Sequence, residues 1–437
     1  MGRNWFVAGA VAAALAWSGA EAHMPGHIEV LASLCAKTAC PNGIDAGNMA
    51  MDGNGDFFGF TDSGGTYNGG TAFELYRAPG KSKWKYQTIY NFCDSCGADS
   101  PGGQTPVVDA AGNVYGISSG GGSKGYGTFF KLTPPSKGKL WDLAVLYSFC
   151  TKDNACDDGG TPYAALAYQG QSAGALYDGI STLYGLNEFG GVHGAGVVFS
   201  LTPRFGRWRE HVLYPFCNEQ SGCTNERIDS VTVDHGGALV GTNPGDYPNY
   251  AGYVARLSPN PGGRFWTETV LYNFCSQTGC SDGADPNGNV TEDVDGNLYG
   301  LARYGGNTNC GYSAGCGVLY KLAPDNTETV LYQFCSRRRC ADGFFPGGNL
   351  LLSSSGTLYG VTEGGGHDGS DAPNGAGVVF ELRGSNYRTI WDFCLTSGCP
   401  DGAYPSMGLT ADSSGDLFGV TEGGGTAGGG TIFRLNQ

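Results

Sequence analysis

Glu268–Gly306 reads ETVLYNFCSQTGCSDGADPNGNVTEDVDGNLYGLARYGG. An apolar run ends in a cysteine, and a second cysteine follows inside a tight turn. A D-G-x-x-P loop comes next, then a D-x-x-G-N turn leading into L-Y-G. The same order recurs along the chain as VLYSFC, VLYPFC, VLYQFC and TIWDFC, and as GNVYG, TLYG and DLFG. The first cysteine of each unit is Cys35, Cys93, Cys150, Cys217, Cys275, Cys335 and Cys394, so the gaps are 58, 57, 67, 58, 60 and 59 residues. A near-fixed period of this length marks a repeat architecture, in which each unit buries its apolar face only against its neighbours.

Within a unit, four short strands are separated by strong turn signals. In the first unit they fall at Gly47–Asp52, Asp56–Thr61, Gly70–Arg77 and Lys85–Phe92. Third strands recur as GTFFKL, GVVFSL, GYVARL, GVLYKL, GVVFEL and GTIFRL. Four-stranded units repeated seven times predict an all-β, seven-bladed β-propeller. The last unit, 405–437, ends on a third strand, and an unpaired fourth-strand sequence, His27–Leu34, stands near the start. Pairing Ile28–Ser33 with Thr431–Leu435 would close the ring and remove the exposed sheet edges that otherwise promote association. A monomer is therefore expected. Trp84/Tyr90, Trp141/Tyr147, Trp208/Tyr214 and Trp266/Tyr272 share a spacing of six, an even number that puts both rings on one face of the fourth strand. The third unit carries a polar insertion, Gln169–Gly179, read as a surface loop.

Composition narrows the function classes. Gly is 77 of 437 residues without a G-X-Y period, which excludes collagen. Aromatic residues at 12% are enough for a packed core. A formal charge of −15 argues against nucleic-acid or anionic-membrane partners, which need a basic surface. Residues 1–22 read as a signal peptide: Arg3, the apolar run Phe6–Trp17, and Ala20-Glu21-Ala22 as the cleavage site. The expected mature domain is 23–437, secreted or periplasmic, with no further apolar run of about 18 residues to hold it in a membrane.

Sixteen cysteines in an exported chain predict disulfides. Seven pairs are local, one to each unit: Cys35–Cys40, Cys93–Cys96, Cys150–Cys156, Cys217–Cys223, Cys275–Cys280, Cys335–Cys340 and Cys394–Cys399. An eighth, Cys310–Cys316, lies in a longer loop of the fifth unit. Their spacing wanders and no histidine accompanies them, which disfavours zinc.

Three motifs invite chemistry. The D-x-x-G-[ND] turns at Asp52, Asp109, Asp293 and Asp412 resemble the start of a calcium loop. Yet Leu298 and Tyr304 stand where that loop needs Gly and Glu, and a capped hairpin turn explains the pattern. No cofactor is required, and calcium at these turns is the alternative. Gly116–Gly120 matches G-x-S-x-G, but the strand runs into a glycine loop rather than a helix, so Ser118 is a repeat position. His23, as the N-terminal residue after cleavage, and His27 could chelate a metal; His193 and His367 lie in Gly-rich loops without spaced partners.

Position within a blade says more. The second-to-third and fourth-to-first loops emerge on one face, and these are the elaborated ones, where binding residues concentrate. Asp62, Glu188, Arg303, Glu363 and Glu422 occupy one equivalent position there and form the predicted ligand-binding set. Glu363, Glu422 and Asp62 belong to adjacent blades once the ring closes and are the candidates for acid–base chemistry on a glycan. Asp158, Asp282, Asp342 and Asp401 lie in the adjoining loops.

The unit G-x-G-V-V-F-x-L…V-L-Y-x-F…D-G-x-x-P…G-N-L-Y-G-x-T-x-G-G resembles the Gloeo/Verruco (GloVer) tandem repeat of exported bacterial proteins, most closely in GNLYG and GVTEGGG. The resemblance implies export and a repeat architecture and brings no catalytic residues. The added cysteine pair in every unit points to an oxidising compartment. The expected function is a binding module for an extracellular polysaccharide or surface protein. The alternatives are a carbohydrate-active hydrolase or lyase using Glu363, Glu422 or Asp62, and a purely structural protein.

Overall fold

The computed structural model describes residues 26–35, 37, 39–135, 141–152, 155–217, 227–245, 251–367 and 374–437. The expected signal peptide, His23 and the Cys217–Cys223 pairing lie outside this set. Among the described residues, seven antiparallel four-stranded blades form a ring, a seven-bladed β-propeller. Blade one runs Ala50–Met51, Phe57–Ser63, Thr71–Arg77 and Trp84–Asn91, with spatial order matching chain order. Its first strand is shorter than the expected Gly47–Asp52. The chain pairs earlier at Ile44–Ala46 and then bulges, because Gly47 lies against the backbone of Gly103 in blade two with no room for a Cβ.

Blade seven is assembled from both ends of the described chain. Leu409–Ala411, Leu417–Thr421 and Thr431–Leu435 are followed in space by Ile28–Ser33, with Ile28 opposite Leu435 and Ser33 opposite Thr431.

The apolar core lies between blades. Phe60, Phe92 and Phe130 join blades one and two, while Phe149 and Phe199 join two and three. Phe334 and Phe380 join five and six, and Phe57 stacks on Phe418 across the closing seam at 4.1 Å. A second interlock explains the D-G-x-x-P loop. Pro101, Pro162, Pro286, Pro346 and Pro405 each press Cδ against a glycine of the preceding blade: Gly70, Gly127, Gly252, Gly317 and Gly377. Any Cβ there would displace the proline. The residue before each proline takes a left-handed φ, from 49° at Ser100 to 60° at Tyr404, and sends its N–H to a carbonyl of the preceding blade. That conformation is unfavourable before proline, so the inter-blade hydrogen bond must hold it.

Two expectations need correction. The Trp/Tyr pairs do not share a face. Every fourth strand carries a one-residue bulge at the Leu or Ile of its V-L-Y-type segment: in blade one Ala72 faces Tyr90 while Phe73 faces Thr88, leaving Ile89 extra. The added residue inverts the alternation. Trp84 therefore packs toward Phe418 of blade seven, and Tyr90 toward the Phe92–Phe130 cluster shared with blade two. The insertion Gln169–Gly179 is likewise more than a surface loop: Tyr177 is 1% exposed and wedges against Tyr115 of blade two and Tyr168.

Candidate functional site

The acidic residues of the fourth-to-first loops separate at once from the rest. Asp158, Asp282 and Asp342 have no exposed surface. Asp342 accepts the Tyr332 hydroxyl at 2.6 Å and the Ser336 N–H at 2.8 Å; Asp282 does the same with Tyr272 and Ser276, and Asp158 with Tyr147 and Thr151. Asp401 accepts Trp391 Nε1 at 3.1 Å. These carboxylates fasten the turn after each first cysteine to the aromatic residue of the preceding strand, and are structural. Six disulfides close the same turns, and a seventh, Cys310–Cys316, closes the second-to-third-strand loop of blade five; these are the predicted pairs other than Cys217–Cys223. The second cysteine's carbonyl then receives N–H groups from both loops of the elaborated face, as Cys340 does from Gly343 and Gly366.

The D-x-x-G-[ND] carboxylates close their own turns. Asp293 Oδ1 accepts the Asp295 and Asn297 N–H groups at 3.0 and 2.9 Å, and Asp109 and Asp412 act alike. Ser118 is fully buried and bonds Gly120 O and Thr128, so it is no nucleophile. His27 and His193 are exposed, and His367 pairs with Asp392. Among the described residues, no three His, Cys, Asp or Glu side chains converge as metal ligands.

The equivalent-position set divides. Arg303, at the end of Leu298–Tyr304, and Glu363, at the end of Thr357–Gly364, meet across the blade boundary in a fork. Nη1 donates to Oε1 at 2.7 Å and Nη2 to Oε2. Glu422 in blade seven accepts the Ser406 hydroxyl. These three line a cavity of about 400 Å³ on the propeller axis. Asp62 and Glu188 are solvent-exposed. The Glu188 backbone carbonyl, not its carboxylate, takes the Arg227 guanidinium at 3.1 Å.

Residues outside the predicted set complete the site. Phe345 and Tyr404 are the pre-proline residues of blades six and seven. With Tyr312, Phe344, Arg303 and Glu363 they line a cleft of about 290 Å³. Tyr312 lies 4.8 Å from Phe345 by ring centroids, and the Arg303 guanidinium stands 5.4 Å over Phe345. The Cys310–Cys316 bridge pins the loop carrying Tyr312, and Phe345 N–H donates to Cys316 O at 2.9 Å. Tyr312 and Tyr404 remain 48% and 43% exposed, so their faces are open to a ligand. Blades one, two and three place Asp45, Ser100 and Thr161 at the position of Phe345 and Tyr404, which confines the aromatic cleft to blades five to seven.

The neighbouring electrostatics are acidic. Asp285, the pre-proline residue of blade five, is 8% exposed. Burial pushes its carboxyl up to about 7, against the opposing pull of Arg303 and with the help of the Asp229 charge. Asp229 is itself raised by burial, although Arg227 draws it down. The second x of D-G-x-x-P held the signal for Phe345, Tyr404 and Asp285: it varies in character inside an otherwise fixed motif.

Residues 306–437 match the Gloeobacter/Verrucomicrobia repeat, a span that includes the GVTEGGG signature at 360–366. No curated protein matches the chain in sequence. Among solved structures, the fold is similar to the polysaccharide lyase Uly1, at 10% identity and a TM-score of 0.52 over 90% of each chain. It is also similar to the extracellular domain of a protein described as a hybrid two component system from B. thetaiotaomicron, at 10% identity and a TM-score of 0.51 over 93% of this chain. A puromycin hydrolase gives 12% identity and a TM-score of 0.50 over 89% of this chain. This chain spans 39% of the second protein and 52% of the third. At these identities the likeness is one of fold.

Proposed function

We propose that the protein is an exported, disulfide-stapled binding module whose ligand is an extracellular polysaccharide. The observation that carries this reading is the cleft of Tyr312, Phe345 and Tyr404 around the Arg303–Glu363 fork, formed in one sector of the ring. Exposed aromatic faces stack on the apolar faces of sugars, and a fixed fork of donors and acceptors orients hydroxyl groups. The seven described disulfides support an oxidising, extracellular compartment. Among the described residues no helix is long and apolar enough to cross a membrane.

The test is to incubate the protein with soluble and insoluble polysaccharides and measure both protein retained and sugar fragments released. Retention without fragments, weakened about tenfold by Tyr404→Ala or Tyr312→Ala at unchanged thermal stability, supports binding; a tenfold loss corresponds to about 1.4 kcal/mol, within reach of one stacking contact. Cleavage is the opposing reading and needs a protonated acid near an ionised carboxylate. Glu363 is committed to Arg303, so Asp285 is the carboxyl with the fitting tendency. Fragment release abolished by Asp285→Asn would replace the binding reading with an enzymatic one.

A further inference from the structure

Arg303 and Glu363 line two cavities at once. On one side is the aromatic cleft of about 290 Å³; on the other is the axial cavity of about 400 Å³. The second falls within the range of small-molecule sites, about 300–1,000 Å³. Its chemistry differs from that of the cleft. Asn48, Gln104, Asn287, Asn289, Asn349 and Ser406 contribute amides and a hydroxyl to its wall. Some of these groups are committed: Asn349 Oδ1 accepts the Asn289 N–H at 2.8 Å and Asn48 Oδ1 the Met49 N–H at 2.9 Å. Asn287 stands in the same wall, and its buried Oδ1 has no hydrogen-bond partner among the described residues.

The wall also fixes how a ligand could enter. Ser230 Oγ donates to Gly288 O at 2.9 Å, Asn349 N–H reaches Met407 O at 3.4 Å, and Thr410 Oγ1 donates to Met49 O at 2.7 Å. The inner strands of these blades are thus joined side by side, and a chain cannot leave the axis between them. Charge limits the ligand further. Of the carboxylates lining the cavity, Glu363 is paired with Arg303 and Asp229 with Arg227, which leaves no wall cation among the described residues free for a uronate or sulfated sugar and leaves Glu422 to repel one.

We propose that the axial cavity is a chain-end subsite. The terminal residue of a neutral glycan enters the axis behind the Arg303–Glu363 fork, and the following residues stack on Tyr312, Phe345 and Tyr404. This rests on the binding reading above. Sugar hydroxyls both donate and accept, matching the amide carbonyls and amide N–H groups of this wall.

Calorimetric titration with short linear gluco- and xylo-oligosaccharides, and with cyclodextrins that have no chain end, tests the idea. Ala165→Trp fills the axial cavity from a wall residue remote from the cleft, and Gln104→Ala removes one amide from it at lower risk to folding. Linear sugars that bind while cyclic ones do not, with a loss of about tenfold or more in Ala165→Trp and a smaller loss in Gln104→Ala, support the subsite. Cyclic sugars binding as well as linear ones would overturn it. So would linear sugars unaffected by both axial variants but lost in Tyr404→Ala, an outcome that leaves the binding reading intact. If no neutral saccharide of either kind binds the unaltered protein, the subsite falls; the binding reading falls with it only if the polysaccharides also fail to retain the protein. Thermal unfolding of each variant confirms that a lost signal is not a lost fold.

Discussion

Arg303 grips Glu363 with two guanidinium nitrogens on two carboxylate oxygens, across the boundary of blades five and six. Both side chains are about one-quarter exposed, at 24% and 25%, so water screens the pair only partly. The bidentate geometry suits a planar guanidinium and not an ammonium. Glu363→Gln should cost about 1–2 kcal/mol, and Arg303→Lys should lose most of the same amount. Urea unfolding of the two single variants and the double variant measures the coupling. A coupling near zero would reduce the fork to a surface contact.

Glu328 carries the opposite kind of interaction. Burial, and then the Asp282 charge, push its carboxyl up to about 7, and its Oε1 has no hydrogen-bond partner among the described residues. Between the ordinary carboxylate range and that value, the folded protein binds more protons than the unfolded one. Stability therefore falls as pH rises through this window. Glu328→Gln should stabilise the protein at pH 8 by about 1 kcal/mol, allowing for screening of a half-exposed group, and change little at pH 5. Thermal melts at both pH values check this. An equal gain at both would assign the effect to packing.

Tyr177 tests the inserted segment. Were the loop only a surface elaboration, truncating a residue in it would cost within about 0.5 kcal/mol. The ring is instead enclosed by Tyr115 and Tyr168, so Tyr177→Ala should cost about 3–5 kcal/mol in chemical unfolding.

Asp342 and Asp62 make a matched contrast between two loop carboxylates. Asp342 has no exposed surface and accepts three protein hydrogen bonds, from Tyr332, Ser336 and Arg337. Asp342→Ala should cost about 2–4 kcal/mol, because it orphans the Tyr332 hydroxyl as well as the N–H groups. Asp62→Ala, at an exposed site, should leave the unfolding midpoint unchanged.

The fold was legible because each repeat states the same local rules: turn residues where φ must be positive, alternating apolar strands, and a cysteine at each fourth-strand end. Ring closure was legible from a strand sequence out of place, Ile28–Ser33. The face of Tyr90 was not, since a bulge leaves no residue type of its own; its cause is the pairing of Ala72 with Tyr90 across the sheet. The candidate site was half legible. Equivalent positions led to Arg303, Glu363 and Glu422, but equivalence in a ring is not proximity, and it led equally to Asp62 and Glu188. Phe345, Tyr404 and Asp285 were marked only by variation at the second x of D-G-x-x-P, because what unites them is a backbone conformation set by the preceding blade. The buried aspartates looked like candidates because a sequence does not show which carboxylates a tyrosine hydroxyl will claim.

The bulge in every fourth strand has a consequence for how such a ring can change over generations. Because it turns Trp84 toward one neighbour and Tyr90 toward the other, the outer strand belongs to two interfaces at once, and so does each of its counterparts. A stretch of gene copied or lost across one full period carries one half of each interface and meets its complement at either junction, wherever the break falls. A break that is out of phase would set two like surfaces against each other. The period, not the blade as seen in space, is therefore the unit that keeps its interfaces matched when it is copied or removed.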